Sequence, residues 1–533
     1  MDERMFLLGD EAVAQAALDA GVSGCYAYPG TPSTEIMEYV RASGRAAEAG
    51  VVREWSANEK TAMEAALGMS YAGRRAMVCM KHVGLNVAAD PFMNAAITGI
   101  NGGLLVVVAD DPSMHSSQNE QDSRYYGHFA QIPVLEPSSQ QEAYDMVREG
   151  FDLSERFGVP VLVRLVTRLA HSRAAVVPQP PVPPRPLHLP GNPRQFILLP
   201  SIARERYRQL LADRPLFIEE AHRPEGHNTY LAHPDSRKGV IACGLAYNYL
   251  RENFPGELPF HLLKISYYPL PDRMIRELFD RCDEIVVLEE GYPYVEEMLL
   301  GMPPRREPVI LGRLDGTLPR DGELDPWKVG KALGLDLPDP RPRPEVAVGR
   351  PPSFCAGCGH IDVYKALNEA MEPYGSGRVF SDIGCYTLGA LPPYNAINTC
   401  VDMGASITMA VGAADAGLIP AVAVIGDSTF THSGITGLLD AVNKRSPVTV
   451  IISDNDATAM TGGQPPSGLG KIEQICLGLG VEKEHLHTII PLRKHHEENV
   501  KVMREELAYQ GVSVIVARRE CVRIAAARKK NRN

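Results

Sequence analysis

The sequence predicts an α/β protein built on doubly wound parallel sheets, and two neighbouring stretches of the chain indicate this. Residues 421–425 form an unbroken apolar run, as expected of a strand buried on both faces. A helix pattern follows over 433–444, and 447–453 is then typical of a second strand. Because this order returns the chain to the same edge of one parallel sheet, polar residues after both strands should lie together.

Composition and proline distribution predict three domains. With 533 residues, 44% of them hydrophobic and 22% charged, the chain can bury several cores. Proline-rich stretches at 178–194 and 337–352 are interpreted as semi-rigid linkers. They separate predicted domains at 1–177, 195–336 and 353–533. The middle domain has strand patterns at 239–244 and 284–290, and Glu289 and Glu290 are expected at a surface or interface, since strand neighbours point to opposite faces.

Charge and hydropathy exclude some classes of protein. The formal net charge of −11 gives no reason to expect nucleic-acid binding. No apolar run approaches the roughly 18 residues of a membrane span, and the first residues lack the basic start of a signal peptide. Cysteines without a disulfide pattern favour a reducing compartment. We therefore expect a cytoplasmic protein.

Oxygen-bearing residues follow both strands of the predicted pair. Gly426, Asp427 and Ser428 come after the first strand, and Asn455 and Ala457 follow the second. Mg²⁺ takes oxygen ligands and usually shares few carboxylates with substrate phosphates. The side chains of Asp427 and Asn455, with a carbonyl near Ala457, would suit Mg²⁺ on a diphosphate. A Gly-Asp-Ser turn alone is typical of any doubly wound sheet; its pairing with the asparagine loop favours the ion site.

Four of the ten cysteines stand apart in the sequence. Two form a C-x-x-C pair and the others follow Gly384 and Glu520; the four are Cys355, Cys358, Cys385 and Cys521. Four thiolates suit zinc and iron–sulfur clusters equally, so spacing leaves both open, with His360 a weaker alternative ligand. The remaining cysteines are interpreted as small buried hydrophobic residues: Cys25, Cys79, Cys243, Cys282, Cys400 and Cys476.

Four motifs carry a family resemblance: Cys-Ala-Gly-Cys-Gly-His at 355–360, Ser-Asp-Ile-Gly-Cys-Tyr at 381–386, Gly-Asp-Ser-Thr-Phe-Thr-His-Ser-Gly at 426–434 and Asp-Asn-Asp-Ala-Thr-Ala-Met-Thr-Gly-Gly-Gln at 454–464. They resemble the diphosphate half of the 2-oxoacid:ferredoxin oxidoreductases, most closely the indolepyruvate-type alpha subunits. The resemblance implies the thiamine-diphosphate-binding fold, with thiamine diphosphate, Mg²⁺ and one 4Fe-4S cluster as cofactors. The implied cluster ligands are Cys355, Cys358, Cys385 and Cys521.

The N-terminal third resembles the same family at 28–33 and along the helix pattern 58–69. By this resemblance Thr31 lies in a cofactor-binding loop. Glu59 is the implied carboxyl that activates the aminopyrimidine of thiamine, and Glu64 is the alternative. The stretch 80–91 also resembles the family, which gives three candidates for the substrate pocket: Lys81, His82 and Asn86.

Further candidates lie on the diphosphate side. Met403 is expected to hold the cofactor bent, with ordinary core packing as the alternative. His432 is an acid–base or substrate-orienting candidate, and Gln464 should lie near the diphosphate edge or the reacting carbon. The middle domain resembles the transketolase C-terminal-like domain, which in these enzymes is mostly architectural.

The resemblance implies oxidative decarboxylation of a 2-oxo acid, of aryl type such as indolepyruvate, to an acyl-CoA. Electrons would leave one at a time through the cluster. The expected partners are a small beta subunit, coenzyme A and ferredoxin or a separate redox subunit, in a dimer of heterodimers. Family members continue into a ferredoxin-like module, whereas this sequence stops at Asn533 without one. We therefore expect either that a separate ferredoxin-like or other redox subunit docks near the C-terminal tail, or that electrons leave directly from the one cluster.

Two other functions remain open from the sequence. The first is a non-oxidative thiamine-diphosphate decarboxylase whose cysteines bind zinc or nothing. The second is a scaffold subunit that presents the fold to a redox partner without turnover.

Overall fold

The computed structural model describes residues 4–302, 308–340, 342, 344–347, 349 and 352–530. The chain divides into two compact units, residues 1–342 and 343–533. The second proline-rich stretch, 337–352, spans the division between the units, and its residues 341, 343, 348, 350 and 351 lie outside the described part. The three-domain division stays a prediction.

The strands of the described chain are numbered in order: β1 Met5–Leu8, β2 Gly24–Ala27, β3 Ala76–Lys81, β4 Leu104–Asp110, β5 Val134–Leu135, β6 Val161–Val166, β7 Arg173–Val176, β8 Thr229–Leu231, β9 Lys238–Cys243, β10 His261–Ile265, β11 Tyr267–Tyr268, β12 Glu284–Leu288, β13 Val309–Leu311, β14 Val379–Ser381, β15 Ala421–Gly426, β16 Val448–Asp454, β17 Leu486–Ile489 and β18 Ser513–Arg518.

The α-helices are α1 Gly9–Asp19, α2 Thr34–Ala42, α3 Gly44–Glu48, α4 Glu59–Tyr71, α5 His82–Val87, α6 Ala89–Thr98, α7 Arg124–Ala130, α8 Gln140–Phe157, α9 Thr167–Ala170, α10 Pro200–Glu220, α11 Ala246–Asn253, α12 Asp272–Arg281, α13 Tyr294–Leu300, α14 Pro326–Ala332, α15 Gly359–Met371, α16 Ala405–Asp415, α17 Asp427–Thr429, α18 Ile435–Lys444, α19 Ile472–Gly478, α20 His496–Leu507 and α21 Val522–Lys530. A π-helical turn, Phe430–Gly434, joins α17 to α18.

The first unit contains two main sheets. A six-stranded sheet has the order β11-β5-β6-β4-β3-β2 and is parallel except at β11, which pairs antiparallel with β5. A five-stranded sheet has the order β13-β12-β9-β10-β8, with β8 antiparallel at its edge. Since β11 belongs in sequence to the predicted middle domain, that domain adds a strand to the sheet of the N-terminal domain. A short antiparallel pair, β1 with β7, completes the unit.

The second unit has one parallel five-stranded sheet, in the order β14-β15-β16-β18-β17. Strands β15 and β16 are fully buried, and most of their side chains are apolar on both faces. The helix between them, α18, begins two residues later than the pattern predicted, after the π-helical turn. Both parallel sheets have helices as connections, which confirms the predicted fold class.

The proline-rich stretch 178–194 runs against the first unit without regular structure. The Val182 amide donates to the Asp19 carbonyl over 2.8 Å, and the His188 amide donates to the Ala72 carbonyl over 3.0 Å. The Arg185 guanidinium lies 2.7 Å from a Glu155 carboxylate oxygen. This stretch is therefore docked on the unit along much of its length.

Of the two positions expected for Glu289 and Glu290, a surface or an interface, the surface is wrong. Both side chains are buried, at 1% and 2% exposure. Glu289 accepts a 2.8 Å hydrogen bond from Arg124, and Glu290 accepts two of 3.1 Å from the Leu324 amide. Strand alternation applies within β12, but both residues follow its end, where the chain turns inward between the two sheets.

Glu289 belongs to a set of buried charges between the two sheets of the first unit. The Arg164 Nε lies 2.6 Å from Asp110, and an Arg124 nitrogen lies 2.5 Å from Asp122. Arg164 also pairs with Glu136. Six residues form this buried ion network: Asp110, Asp122, Arg124, Glu136, Arg164 and Glu289. Each of its charges has an opposite charge beside it, as burial requires.

Candidate functional site

The carboxyl ends of β15 and β16 bring Asp427 and Asn455 together, as predicted. The Asn455 amide donates to Asp427 Oδ2 over 3.2 Å, and the Ser428 amide donates to Oδ1 over 2.7 Å. The Ala457 amide donates to the Asn455 side-chain oxygen over 3.1 Å. Main-chain donors thus fix the carboxylate and amide oxygens at one sheet edge.

Asp427 is buried, and the groups that bond its carboxylate are backbone amides. Burial, followed by the nearby charge of Asp454, raises the pKa of Asp427 to about 7. Asp454 itself has Arg518 at 2.7 Å, so that cation is already paired. A divalent cation beside Asp427 would supply the missing positive charge. The donor set of hard oxygens fits Mg²⁺.

Gly426 precedes this carboxylate for a steric reason. A Cβ at residue 426 would lie 2.6 Å from the ring of Tyr386. The Tyr386 hydroxyl donates to Asp382, and a second Asp382 oxygen accepts the Gly404 and Ser406 amides over 3.1 Å each. Asp382 thus fixes the turn that begins α16. The motif 381–386 contains Asp382, but the sequence interpretation used only its cysteine.

Met403 lies in the turn that Asp382 fixes, and its side chain is partly buried. His432 lies in the π-helical turn, is buried, and has Nδ1 2.5 Å from the Ser433 hydroxyl. Gln464 is buried and is held by Thr461, whose hydroxyl lies 2.7 Å from its side-chain oxygen. The roles assigned to Met403, His432 and Gln464 stay predictions.

The four selected cysteines line one cavity of about 200 Å³, together with Asp454 and Asn455. Residues 355, 358, 385 and 521 lie far apart in sequence, so only the fold brings them together. The Cys521 amide donates to the Asn455 carbonyl over 3.0 Å. The cysteine cavity therefore adjoins the edge that carries Asp427.

Burial in the cavity disfavours the thiolate form of two of its cysteines, Cys358 and Cys385. Burial, followed by the neighbouring thiols, raises the pKa of Cys385 to about 12, and burial also raises the pKa of Cys358. His360, a weaker candidate ligand, has Nδ1 3.1 Å from Cys358 Sγ. Burial lowers the pKa of His360 to about 4, so its ring is neutral. Bound metal would reverse the thiol shifts, because thiolates are the ligands.

The other six cysteines follow the sequence interpretation with one exception. Cys25, Cys79, Cys243, Cys282 and Cys476 are buried, but Cys400 is exposed. The prediction for Cys400 was wrong: it lies in an irregular loop, 398–402, most of whose residues are exposed. Cys400 does not line the cysteine cavity described above.

In the first unit, both glutamate candidates lie on helix α4, but Glu59 is buried and Glu64 is exposed. Asn58 caps the helix, and Glu59, its first residue, is 5% exposed. A Cβ at residue 84 would lie 2.6 Å from a Glu59 carboxylate oxygen, so Gly84 allows α5 to approach this side chain. Glu64 instead faces solvent and pairs with Lys60. The buried environment favours Glu59 as the functional carboxyl.

Lys81 and His82 lie at the end of β3 and bond one loop. The Lys81 ammonium donates to the Ser116 carbonyl over 2.7 Å, and His82 Nε2 lies 3.2 Å from the Asn119 carbonyl. The Ser116 hydroxyl also donates to the Thr31 carbonyl over 3.2 Å. Thr31, Lys81 and His82 therefore adjoin one another through residues 116–119, which the sequence interpretation did not select.

Asp111 supports this loop, and Asn86 does not join it. The Asp111 carboxylate accepts the Ser116 amide over 2.8 Å. Burial lowers the pKa of Lys81 to about 8, and Asp111 partly opposes that shift. Asn86 is exposed and accepts the Tyr126 hydroxyl over 2.5 Å. Asp111 could have been found as a second acid at a strand end, directly after Asp110.

Among the described residues, no helix is both long and apolar enough to span a bilayer.

Comparison with known proteins gives two family matches. Residues 15–229 match the family described as pyruvate flavodoxin/ferredoxin oxidoreductase, thiamine diphosphate binding. Residues 382–482 match the C-terminal binding domain of thiamine pyrophosphate enzymes. A solved 2-oxoglutarate:ferredoxin oxidoreductase from Magnetococcus marinus shares the fold, with a TM-score of 0.52 and 16% identity over 62% of this chain and 65% of that one. These matches define the class of thiamine-diphosphate-binding oxidoreductases.

Relatives narrow the class to one family. The indolepyruvate oxidoreductase subunit IorA of Archaeoglobus fulgidus is 38% identical over 97% of this chain and 86% of its own length. That of Methanothermobacter thermautotrophicus is 39% identical over 98% and 87%. The chain belongs to this family of IorA subunits. The predicted resemblance, the thiamine-diphosphate-binding fold and the assignment as an enzyme subunit are confirmed.

Proposed function

We propose that the chain is the subunit that oxidatively decarboxylates an aryl 2-oxo acid such as indolepyruvate, forming an acyl-CoA and passing electrons to a 4Fe-4S cluster. Thiamine-diphosphate-dependent oxidation of 2-oxo acids is the chemistry of its family. The observation that carries the proposal is the cysteine cavity, which is lined by four cysteines and by Asn455 of the diphosphate edge. A carbon site and an electron acceptor would be neighbours there.

Asp427, Asn455 and the Ala457 carbonyl would hold Mg²⁺ on the diphosphate. Their oxygens lie at one sheet edge, and the carboxylate of Asp427 is bonded by backbone amides rather than a cation. Gly426 and Ser428 would complete the diphosphate cradle, and Met403 would support the ring system. Asp382 acts on Met403 only through the turn that it fixes.

The redox chemistry of the family favours a cluster over zinc. Four thiolates suit either centre, but zinc has no redox chemistry. The chain belongs to a family of oxidoreductases, whose reaction needs an electron acceptor. The ligands in this proposal are Cys355, Cys358, Cys385 and Cys521.

Bound thiamine diphosphate would supply the thiazolium that accepts electrons from the scissile carbon bond. In this proposal the Glu59 carboxyl exchanges a proton with the aminopyrimidine ring. Its burial strengthens such a hydrogen bond, since the local dielectric is low. Thr31 binds the cofactor from the neighbouring loop, and its carbonyl is held by Ser116.

Substrate recognition would use Lys81 and His82, at the end of β3. An ammonium at that position would attract the substrate carboxylate. Asn86, His432 and Gln464 complete the proposed substrate and acid–base set. The aryl preference rests on the names of the relatives, which are also named as subunits and so support a partner subunit in general. A ferredoxin-type acceptor is supported by the description of the matched family. The small beta subunit and coenzyme A are proposed from the sequence resemblance.

The decisive experiment is anaerobic purification with iron, zinc and sulfide analysis, followed by viologen reduction with the beta subunit, coenzyme A and a panel of 2-oxo acids. We expect iron and sulfide, absorbance bleached by dithionite, and turnover that is highest with indolepyruvate. Zinc without iron would contradict the redox step and favour non-oxidative decarboxylation. Iron without turnover on any 2-oxo acid would favour a scaffold.

Matched variants separate the proposed roles. Cys385→Ser should lose cluster iron, whereas Cys400→Ser, outside the cysteine cavity, should retain it. Glu59→Gln should lower kcat at least about 100-fold, in the range of lost acid–base catalysis, while Glu64→Gln should leave kcat unchanged. Equal effects of the two glutamate variants would reject Glu59 as the activating group.

A further inference from the structure

Two carboxylates and an imidazole meet at one point of the first unit. Asp10 lies in the first turn of α1, Glu35 in the first turn of α2, and His171 directly after α9. One oxygen of each carboxylate and one ring nitrogen lie within 4.8 Å of one another. The chain allows this because residue 9 is glycine: a Cβ there would lie 2.3 Å from the Leu169 carbonyl oxygen.

Asp10 is the unusual member of the group. It is 0% exposed, and neither of its carboxylate oxygens has a hydrogen-bond partner among the described residues. Its neighbour Glu11, by contrast, pairs with Arg173 at 2.6 and 3.0 Å and accepts the Leu8 amide over 2.9 Å. Buried carboxylates are normally hydrogen-bonded, paired or bound to metal. For a charged Asp10 the groups within reach, Glu35 and His171, offer the third arrangement, a shared metal ion.

We propose that Asp10, Glu35 and His171 bind a divalent transition-metal ion through two carboxylate oxygens and one imidazole nitrogen. Two ligand atoms about 2.1 Å from a tetrahedral ion lie about 3.4 Å apart. Glu35 Oε2 lies 3.5 Å from His171 Nε2, which is longer than an ordinary hydrogen bond. The imidazole favours Fe²⁺ or Zn²⁺ over Ca²⁺ and Mg²⁺, and the two carboxylates also suit Mn²⁺.

The ion would join three parts of the chain. It would tie the start of α1 and the residue after α9 to the start of α2. Helix α2 begins directly after the loop that contains Thr31, so the ion would anchor one end of that loop. The Glu35 and His171 side chains are 36% and 34% exposed, so solvent can deliver the ion and fill its remaining positions.

The rival explanation is an uncharged Asp10. Burial, followed by the charges of Glu35 and Glu11, raises the pKa of Asp10 well above its usual range. A protonated carboxylic acid would need no ion. The two explanations differ in how the protein responds to metal and to an isosteric neutral side chain, Asp10→Asn.

The test uses Mn²⁺, because thiolates bind it poorly and its electron paramagnetic resonance spectrum reports bound ligands. The full chain carries Asp427→Asn and no thiamine diphosphate, so that the diphosphate edge does not compete. We expect one bound Mn²⁺ with a ¹⁴N coupling from imidazole. His171→Gln should abolish the coupling, Asp10→Asn should weaken binding at least tenfold, and Glu11→Gln, the matched control, should change neither.

Thermal unfolding supplies the second measurement. Mn²⁺ should raise the Tm of the parent and of Glu11→Gln but not of Asp10→Asn, and a chelator should reverse the rise. The proposal is overturned if no Mn²⁺ binds at millimolar concentration, if Asp10→Asn binds as tightly as the parent, or if the nitrogen coupling survives in His171→Gln. An Asp10→Asn protein that is more stable than the parent at saturating Mn²⁺ would also overturn it and support the uncharged acid.

Discussion

The six-stranded sheet of the first unit and the sheet of the second unit each have a charged residue at the carboxyl end of a central strand. The charge is paired with an opposite charge in the first sheet but not in the second. At the carboxyl end of β4, Asp110 pairs at 2.6 Å with Arg164 of the neighbouring strand β6, within the buried ion network. At the end of β15, Asp427 is bonded by backbone amides, and burial raises its pKa. One edge is neutralised by the protein itself, and the other is left short of positive charge.

The difference separates architecture from ligand binding. In the first unit the paired charges join the six-stranded sheet to the five-stranded sheet, through contacts such as Arg124 with Glu289. In the second unit an unneutralised carboxylate lies near the cysteine cavity, where burial raises the pKa of two thiols, Cys358 and Cys385. Polar groups at a strand end therefore indicate a site most clearly where the fold supplies no partner for them.

The largest test of this comparison removes one charge from the buried ion network. Arg164→Met should lower the free energy of unfolding of the first unit by about 3–5 kcal/mol, because Asp110 and Glu136 would remain buried without their cation. Chemical denaturation measures this. As a control, Arg223→Met removes a half-exposed cation and should cost less than about 1 kcal/mol. Equal costs would show that the network is not a structural device.

A pH titration tests the opposite edge. The pKa of Asp427 is raised from its usual value near 4 to about 7, so the folded chain binds more protons than the unfolded chain between those values. Without metal, stability of the second unit should therefore fall as pH rises from about 4 to about 7, by about 2–4 kcal/mol. Asp427→Asn should remove that part of the slope, as read from hydrogen exchange of β15.

Cofactor binding should change the pH dependence of the stability of the second unit. Thiamine diphosphate with Mg²⁺ should abolish the Asp427 contribution, because the cation stabilises the charged carboxylate. Asp402→Asn, an exposed neighbour, serves as the control and should leave the slope intact. A slope that persists in Asp427→Asn would assign the effect to another carboxyl group, such as Asp382, whose pKa burial raises to about 6.

A steric change tests how tightly the second edge is built. Gly426→Ala should cost about 1–3 kcal/mol and weaken thiamine diphosphate binding, since its Cβ would lie 2.6 Å from the Tyr386 ring. Gly412→Ala is the matched control: its Cβ meets open space on α16, so it should stabilise by about 0.5–1 kcal/mol. Calorimetry of both variants, with and without cofactor, makes the comparison. A neutral Gly426→Ala would mean that Tyr386 can move aside.

The sequence predicted the elements whose cause is local. The runs at 421–425 and 447–453 identify β15 and β16 because burial on both faces demands continuous apolar residues, and Asp427 and Asn455 follow directly from their ends. Glu59 was preferred by resemblance, and the capped start of α4 explains its burial against Gly84.

Features that depend on distant residues could not be predicted. The burial of Glu289 and Glu290 depends on Arg124 and Leu324, and no local pattern announces either partner. Nor does any spacing connect Asp10 with His171, which meet only because α1 packs against α9. Pairing across 160 residues is a property of the tertiary structure.

The smallest expected effect concerns the docked proline-rich stretch 178–194. Arg185→Ala removes a half-exposed ion pair with Glu155 and should cost only about 0.2–1 kcal/mol. The main-chain bonds of Val182 and His188 should keep the stretch in place, so limited proteolysis should still spare it. Rapid cleavage between 178 and 190 in this variant would show that one side chain holds the segment.

The docking of this stretch also limits how far the five-stranded sheet can move. A proline-rich connector usually acts as an extended spacer, but this one lies along the first unit and is hydrogen-bonded to the carbonyls of Asp19 and Ala72. Because the connector is hydrogen-bonded along its length, the five-stranded sheet that follows it cannot move away from the six-stranded sheet unless these bonds break. The connector, the buried ion network and the pairing of β11 with β5 therefore all restrict movement of this sheet.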